Sequence, residues 1–284
     1  MPPVGTMGGM STTMPRVPLS DSVAIPQLGL GVYKVPPGQT AEVVRHALAH
    51  GYTAVDTATL YGNEREVGEA VRDSGLARED VFVTTKLWND AHGYDEALRA
   101  FDRSAAELDL DHVDLYLIHW PVPDQDRYVE TWQALRRLRD EGRVRAVGVS
   151  NFEPEHLRRL ADEAGEVPAI NQVELHPLLQ QRALREAHAE LGVVTEAWAP
   201  LARGQLVEHD TIRRLADKHG RTPSQIILRW HLDLGNVVIP KSVTPARIEE
   251  NLDVFDFSLD TDDVAAIDAL DSDGRTGRHP NDRW

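Results

Sequence analysis

The sequence of 284 residues contains no cysteine, and this absence excludes several kinds of chemistry. Disulfide bonds, thiolate metal centres and cysteine nucleophiles are ruled out, and we predict no metal site. Small secreted folds usually depend on disulfides for stability, so we expect a cytoplasmic location.

The sequence also lacks any run of eighteen apolar residues, so no transmembrane helix is expected. The first sixteen residues, MPPVGTMGGMSTTMPR, have neither a basic start nor an apolar stretch, and they do not resemble a signal peptide. Because this segment is rich in Gly, Pro, Ser, Thr and Met, we predict a flexible leader over residues 1–16.

Basic residues are few relative to acidic ones, which gives a formal net charge of −16. Nucleic acid and anionic membranes are therefore poor partners, and an anionic ligand would need a local cluster of basic groups. Lysine is the scarcer basic residue. Retention of lysine in an arginine-rich chain can mark sites where arginine does not serve, although codon bias produces the same count. The four lysines are Lys34, Lys86, Lys218 and Lys241.

The sequence does contain a regular alternation of short β-rich runs with longer helical runs. Such alternation favours parallel βαβ units, and a closed eight-stranded barrel needs about 250 residues. The predicted strands are residues 29–33, 53–58, 81–86, 113–119, 144–151, 169–175, 193–199 and 236–241. The predicted helices include residues 39–50, 64–74, 95–108, 128–141, 154–163, 182–191 and 223–234.

We therefore predict an α/β fold, a single-domain (β/α)8 TIM barrel over residues 17–284, with an N-terminal hairpin from Val17 to Gln27. The alternative is an open doubly wound sheet. Such a sheet usually carries a G-x-G-x-x-G turn after its first strand, whereas this chain has only the Gly29-Leu30-Gly31 tripeptide.

Polar residues lie near the ends of consecutive predicted strands, where a TIM barrel places its active site. Asp56 lies near the end of the second strand, Lys86 and His119 end the third and fourth, and Tyr61 lies in the loop after the second. Each has a structural alternative: a cap, a rim contact, a solvated cation or a core histidine. Their occurrence at successive strand ends favours a shared site.

The chemistry of this set suits the reduction of a carbonyl group. A tyrosine titrates near ~10, and a cation such as Lys86 would stabilise its phenolate and ease proton donation. Asp56 would keep Lys86 charged, and His119 would orient the carbonyl oxygen beside Tyr61. Because no side chain supplies hydride, a nicotinamide cofactor is implied.

Six segments extend this pattern from about Gly29 to Asn251. They are GYTAVDTATLYGNEREVG, VTTKLWN, VDLYLIHWP, VGVSNF, INQVELHP and IPKSVTPARIEEN. In this order they resemble the signature segments of the aldo-keto reductase superfamily, most closely its bacterial 2,5-diketo-gluconate reductase-like branch. The resemblance implies a catalytic tetrad of Asp56, Tyr61, Lys86 and His119.

The loop after the eighth strand is a candidate phosphate site. TIM barrels often bind phosphate after strands seven and eight, and a helix predicted to begin near Thr244 or Pro245 would present its N-terminus there. The alternative is a capped helix behind a proline-bounded loop. The resemblance favours NADPH/NADP+, with its 2′-phosphate and pyrophosphate held by the group Lys241, Ser242, Val243, Thr244 and Arg247.

The remaining cofactor contacts follow from the resemblance alone. Ser150, Asn151 and Gln172 would bind the nicotinamide carboxamide, and Trp198 would stack on the nicotinamide where the family often has tyrosine. Along the rest of the cofactor, the pyrophosphate would contact Leu201 and the adenine would contact Glu250 and Asn251.

Tyr33, Trp88 and Trp120 are the candidate substrate-binding residues, although the tryptophans could equally pack against loops. Short loops predict an open pocket for small-molecule carbonyl substrates in a monomeric protein. Two other functions stay open: a nucleotide-binding regulatory module with little turnover, and a Schiff-base aldolase using Lys86. The aldolase needs a neutral lysine, which Asp56 disfavours.

Overall fold

The computed structural model describes residues 14–283, and a short antiparallel hairpin comes first in this range. Its strands are β1 (Arg16–Pro18) and β2 (Ala24–Pro26). The pairing begins at Arg16, one residue before the predicted hairpin and inside the predicted leader, because Arg16 lies opposite Pro26. The rest of the predicted leader, residues 1–13, lies outside the described residues.

Eight parallel strands then form one sheet in simple sequence order. The sheet closes on itself, since Leu28 bridges to Val238 and Gly29 N donates to Val238 O over 2.8 Å. This closure confirms the barrel and excludes the open sheet. The strands are β3 (Leu30–Gly31), β4 (Ala54–Asp56), β5 (Phe82–Leu87), β6 (Val113–Ile118), β7 (Val144–Ser150), β8 (Ile170–Glu174), β9 (Val194–Trp198) and β10 (Val237–Val238).

The first and last barrel strands are shorter than the sequence predicts. β10 stops at Val238, two residues before Pro240, and a proline has no amide hydrogen with which to extend a ladder. Gly31 still donates to Pro240 O over 3.1 Å, so the two chain segments stay together beyond the regular pairing.

Ten α-helices are found in the described part of the chain, and four of them begin with a proline in the first turn, where no amide hydrogen bond is lost. Two of the ten, Asp210–His219 and Thr261–Asp268, have no counterpart among the predicted helices. The helices are α1 (Pro37–Ala49), α2 (Glu64–Arg72), α3 (Tyr94–Leu108), α4 (Tyr128–Asp140), α5 (Pro154–Ala164), α6 (Arg182–Leu191), α7 (Asp210–His219), α8 (Pro223–Asp233), α9 (Pro245–Leu252) and α10 (Thr261–Asp268).

The hairpin plugs the amino-terminal end of the barrel with apolar side chains. Val23 and Ile25 pack in one buried cluster with Phe82, Leu115 and Ile170 from three barrel strands. The polar groups of the site are therefore confined to the opposite, carboxyl end of the strands. No helix in the described range is long and apolar enough to cross a membrane.

Candidate active site

Lys86 is the most enclosed charged group of the site, with none of its surface exposed. Its Nζ donates to Asp56 Oδ1 over 2.6 Å, to the Thr57 carbonyl over 2.9 Å and to Tyr61 Oη over 3.4 Å. An ammonium has three donors, and each has an acceptor here. The arrangement suits a charged lysine and argues against a Schiff-base nucleophile.

Tyr61 ends a single 3-10 turn, Thr59–Tyr61, which follows β4 and places the half-buried phenol beside Lys86. Burial, followed by the charge of Asp56, raises the pKa of Tyr61 well above its usual value. Lys86 was expected to stabilise the phenolate form of this side chain. Burial and Asp56 outweigh that attraction, so Tyr61 holds its proton as a phenol in this structure.

His119 follows β6 directly and is buried beside the phenol. Burial, and then the charge of Lys86, holds the pKa of His119 well below its usual range, so the ring is neutral. It meets the rings of Tyr61 and Trp88 edge to face, with centroids 5.8 Å and 5.1 Å away. A neutral imidazole offers one N–H to a carbonyl oxygen.

A second layer lies behind the ion pair and includes a carboxylate that sequence analysis missed. Gln172 Nε2 donates to Asp56 Oδ2 over 2.8 Å and to Glu196 Oε2 over 3.0 Å. Burial, followed by the charge of Asp56, raises the pKa of Glu196 to about 8. A glutamate inside the apolar strand VVTEAWA was a signal that could have identified it.

The three predicted carboxamide partners lie together, and their donors are already in use. Ser150 Oγ donates to the Gln172 carbonyl over 2.7 Å, and Asn151 Nδ2 donates to the His119 carbonyl over 2.9 Å. Trp198 Nε1 donates to Asn151 Oδ1 over 2.8 Å. A bound amide would therefore meet side chains whose remaining capacity is mainly as acceptors, which suits an incoming NH2 group.

The predicted phosphate loop differs from the carboxamide residues because its cationic side chains are exposed. Lys241, Val243 and Arg247 are exposed, whereas Ser242 is buried and its Oγ accepts from Thr244 N over 3.1 Å. Among residues 14–283, no acidic side chain pairs with Lys241 or Arg247. Both cations remain available to a phosphate at the N-terminus of α9, so this surface fits the anionic part of a nucleotide.

The predicted adenine and pyrophosphate residues occupy mixed positions. Glu250 is half-buried, and its Oε1 accepts from Thr222 Oγ1 over 2.7 Å. Asn251 is buried at the end of α9, and Leu201 packs against the main core. Glu250 would therefore keep its hydrogen bond to Thr222 at the start of α8 even if it also contacted a bound adenine.

The three predicted substrate residues differ in exposure. Tyr33 is 44% exposed, and its ring centroid lies 5.0 Å from that of Tyr61. Trp88 is half-buried against His119, and Trp120 is only 9% exposed. The structure thus brings Tyr33 to the ring of Tyr61 and Trp88 to that of His119, whereas Trp120 lies mostly in the packed interior.

The C-terminal segment closes over one side of this site, which the sequence did not predict. The carboxylate of Glu174 accepts from Thr276 N over 2.6 Å and from Gly277 N over 2.9 Å. Burial alone would raise the pKa of Glu174, but hydrogen bonds from His176 and this segment lower it to about 2. Gly277 lies so close to Trp198 that an added Cβ would be 2.5 Å from Cη2 of the indole.

Comparison with known proteins agrees with this geometry. Residues 27–272 match the Aldo/keto reductase family. An aldo-keto reductase of Mycobacterium sp. (strain KMS) is 55% identical, covering 94% of this chain and 96% of the relative. The methylglyoxal reductase DkgA of Escherichia coli (strain K12) is 49% identical, covering 93% and 96%.

Solved structures agree as well. A mutant of Gox0644 crystallised in complex with NADPH is 52% identical, with a TM-score of 0.91 and coverage of 94% of this chain and 98% of that one. The match extends over the barrel and over every strand that contributes to the site. The chain belongs to the aldo/keto reductase family.

Proposed function

We propose that this protein is an NADPH-dependent reductase that converts small aldehydes and ketones to alcohols, with Tyr61 as the general acid. One observation carries the proposal: a phenol, an ammonium and a carboxylate stand in line at the carboxyl end of the barrel, with Lys86 Nζ between Asp56 and Tyr61. Family membership and the NADPH complex of a relative support it.

The roles of the side chains follow from their charge states. The neutral His119 donates a hydrogen bond to the substrate carbonyl oxygen and holds it near Tyr61 Oη. As negative charge develops on that oxygen, Tyr61 gives up its proton, and Lys86 stabilises the phenolate that remains. NADPH, when bound, would supply the hydride for the carbonyl carbon. Water then restores the proton of Tyr61.

The cofactor assignment is supported by the free cations of the phosphate loop. Lys241 and Arg247 would hold the 2′-phosphate, with Ser242 and Val243 beside them, and Leu201 would lie along the pyrophosphate. Ser150, Asn151 and Gln172 would hydrogen-bond the carboxamide, and Trp198 would stack on the nicotinamide ring. Glu250 and Asn251 would contact the adenine.

The proposed substrate class follows from the short loops predicted around the pocket and from the activity for which one relative is named. Tyr33, Trp88 and Trp120 would form an apolar wall around the carbonyl. Because a relative at 49% identity is named a methylglyoxal reductase, small α-oxoaldehydes are the first compounds to test. A monomeric state, a cytosolic location and the absence of nucleic-acid binding remain predictions from the sequence.

The decisive experiment is steady-state kinetics of the wild type and Tyr61→Phe with methylglyoxal and a panel of simple carbonyls. General acid catalysis contributes about 10²- to 10⁴-fold, so we expect kcat to fall by that factor while NADPH affinity changes only a few fold. Retention of most of kcat in Tyr61→Phe would assign the proton to another group. Absence of turnover in the wild type, with intact NADPH binding, would favour the regulatory module.

A further inference from the structure

Two histidines and one glutamate converge on the outer surface, between α1 and α9. His46 lies in the last turn of α1, His50 follows the end of that helix directly, and Glu249 projects from the neighbouring helix α9. His46 Nε2 lies 3.0 Å from Glu249 Oε1, and His50 Nε2 lies 3.5 Å from the same oxygen. All three side chains are accessible, with 24%, 41% and 48% of their surface exposed.

The hydrogen bond of His50 determines which of its ring nitrogens is free. His50 Nδ1 lies 2.8 Å from the His46 carbonyl oxygen. A carbonyl oxygen can only accept, so Nδ1 carries the hydrogen and Nε2 of the neutral ring carries a lone pair. That lone pair faces a carboxylate oxygen, which is also an acceptor. A cation between these two acceptors, either a proton or a metal ion, would remove their mutual repulsion.

We propose that His46, His50 and Glu249 form a binding site for a divalent transition-metal ion of the zinc class. Imidazole nitrogen and carboxylate oxygen are zinc ligands at ~2.0–2.2 Å, which places two ligands of a tetrahedral ion about 3.3 Å apart. The separations of 3.0 Å and 3.5 Å lie on either side of that value. The backbone bond to Nδ1 orients His50 in the way that metal-bound histidines are usually oriented.

The ligand set also selects the kind of ion. Two nitrogen donors favour zinc, copper or nickel over magnesium and calcium, which take oxygen ligands. A fourth position would be open to water, since the cluster faces solvent. The ion would join α1 to α9, the helix that carries Arg247, and would add to the existing hydrogen bond from Tyr52 Oη to the Ile248 carbonyl, 2.9 Å.

The test is isothermal titration of the full-length protein, without an affinity tag, with zinc chloride and, separately, with magnesium chloride at neutral pH. We expect saturable binding of one zinc ion, no binding of magnesium, and a higher melting temperature with zinc. His50→Ala and Glu249→Gln should each weaken zinc binding at least tenfold. Their positions are exposed, so both variants should keep the wild-type circular dichroism spectrum.

The matched control is His279→Ala, which removes an imidazole of similar exposure (48%) outside the cluster and should leave zinc binding unchanged. Failure of the wild type to saturate with zinc would mean that a proton alone bridges the cluster, and the proposal would be wrong. Equal zinc affinity in all variants would also overturn it. Without zinc, His50→Ala and Glu249→Gln should reduce carbonyl compounds at the wild-type rate. The zinc result therefore does not depend on whether the proposed function is correct.

Discussion

Lys86 and Lys241 both lie near the carboxyl ends of barrel strands, yet their surroundings are opposite. Lys86 is completely buried and gives each of its three donors to the protein, whereas Lys241 is exposed and, among the described residues, has no acidic partner. The first arrangement fixes a charge before the substrate arrives. The second leaves a charge for a ligand to neutralise. A buried lysine is thus held by the protein alone, whereas an exposed lysine keeps its charge available to an anion.

The largest loss of stability and activity should come from removing the charge of the buried Lys86. Lys86→Met would leave Asp56 uncompensated in a buried position, and loss of one partner of a buried pair typically costs about 3–5 kcal/mol. We expect that decrease in the free energy of unfolding by urea, together with a loss of kcat of about 10²-fold or more. The double variant Lys86→Met/Asp56→Asn should recover stability but not activity. Wild-type stability in Lys86→Met would contradict the buried pair.

The exposed side should respond in affinity and not in stability. Arg247→Ala removes one charge-assisted hydrogen bond to phosphate, about 1.5–3 kcal/mol, so NADPH should bind about 10- to 100-fold more weakly. NADH affinity and the melting temperature should hardly change. In the wild type, added salt should reduce the difference between NADPH and NADH affinity. Arg214→Ala, at another exposed arginine, is the control. Equal weakening of both cofactors would remove Arg247 from the 2′-phosphate site.

The buried carboxyl group of Glu196, behind Lys86, should make the stability of the protein depend on pH. Burial, and then Asp56, raises the pKa of Glu196 from 4.5 to about 8, so the folded protein binds a proton that the unfolded chain has released. This stabilisation is complete below pH 4.5 and disappears as the pH rises through about 8. Relative to Glu196→Gln, the wild-type melting temperature should therefore fall between about pH 5 and pH 9. A constant difference between the two proteins would show that Glu196 is ionised throughout.

The smallest effect concerns the contact between the C-terminal segment and Trp198. Gly277→Ala would place a methyl group 2.5 Å from the indole and push the segment or the ring aside. We expect a change of a few fold in KM for the carbonyl with kcat nearly unchanged, since no proton-transfer group moves. Gly274→Ala has a nearest contact of 3.0 Å, to a flexible serine side chain, and serves as the control. Identical KM values in both variants would mean that this contact does not shape the pocket.

Local signals account for the part of the fold that sequence analysis predicted well. Prolines such as Pro154 and Pro223 mark helix starts because their missing amide hydrogen costs nothing in the first turn. The strands were found from β-rich runs, but the end of the last strand was not, since Pro240 has no amide hydrogen with which to extend the ladder. The tetrad residues were identified because parallel strands bring their carboxyl ends together.

The repeating pattern of strands and helices and the positions of Asp56, Lys86 and His119 at or near strand ends could be predicted from the sequence. The contacts of Glu196 with Gln172, of Gly277 with Trp198 and of Glu249 with His46, 203 positions away, could be read only from the folded chain. These contacts join segments that no local periodicity connects. Pairing of β8 with β9 sets Gln172 beside Glu196, closure of the barrel brings α9 beside α1, and burial then sets the protonation of the enclosed groups.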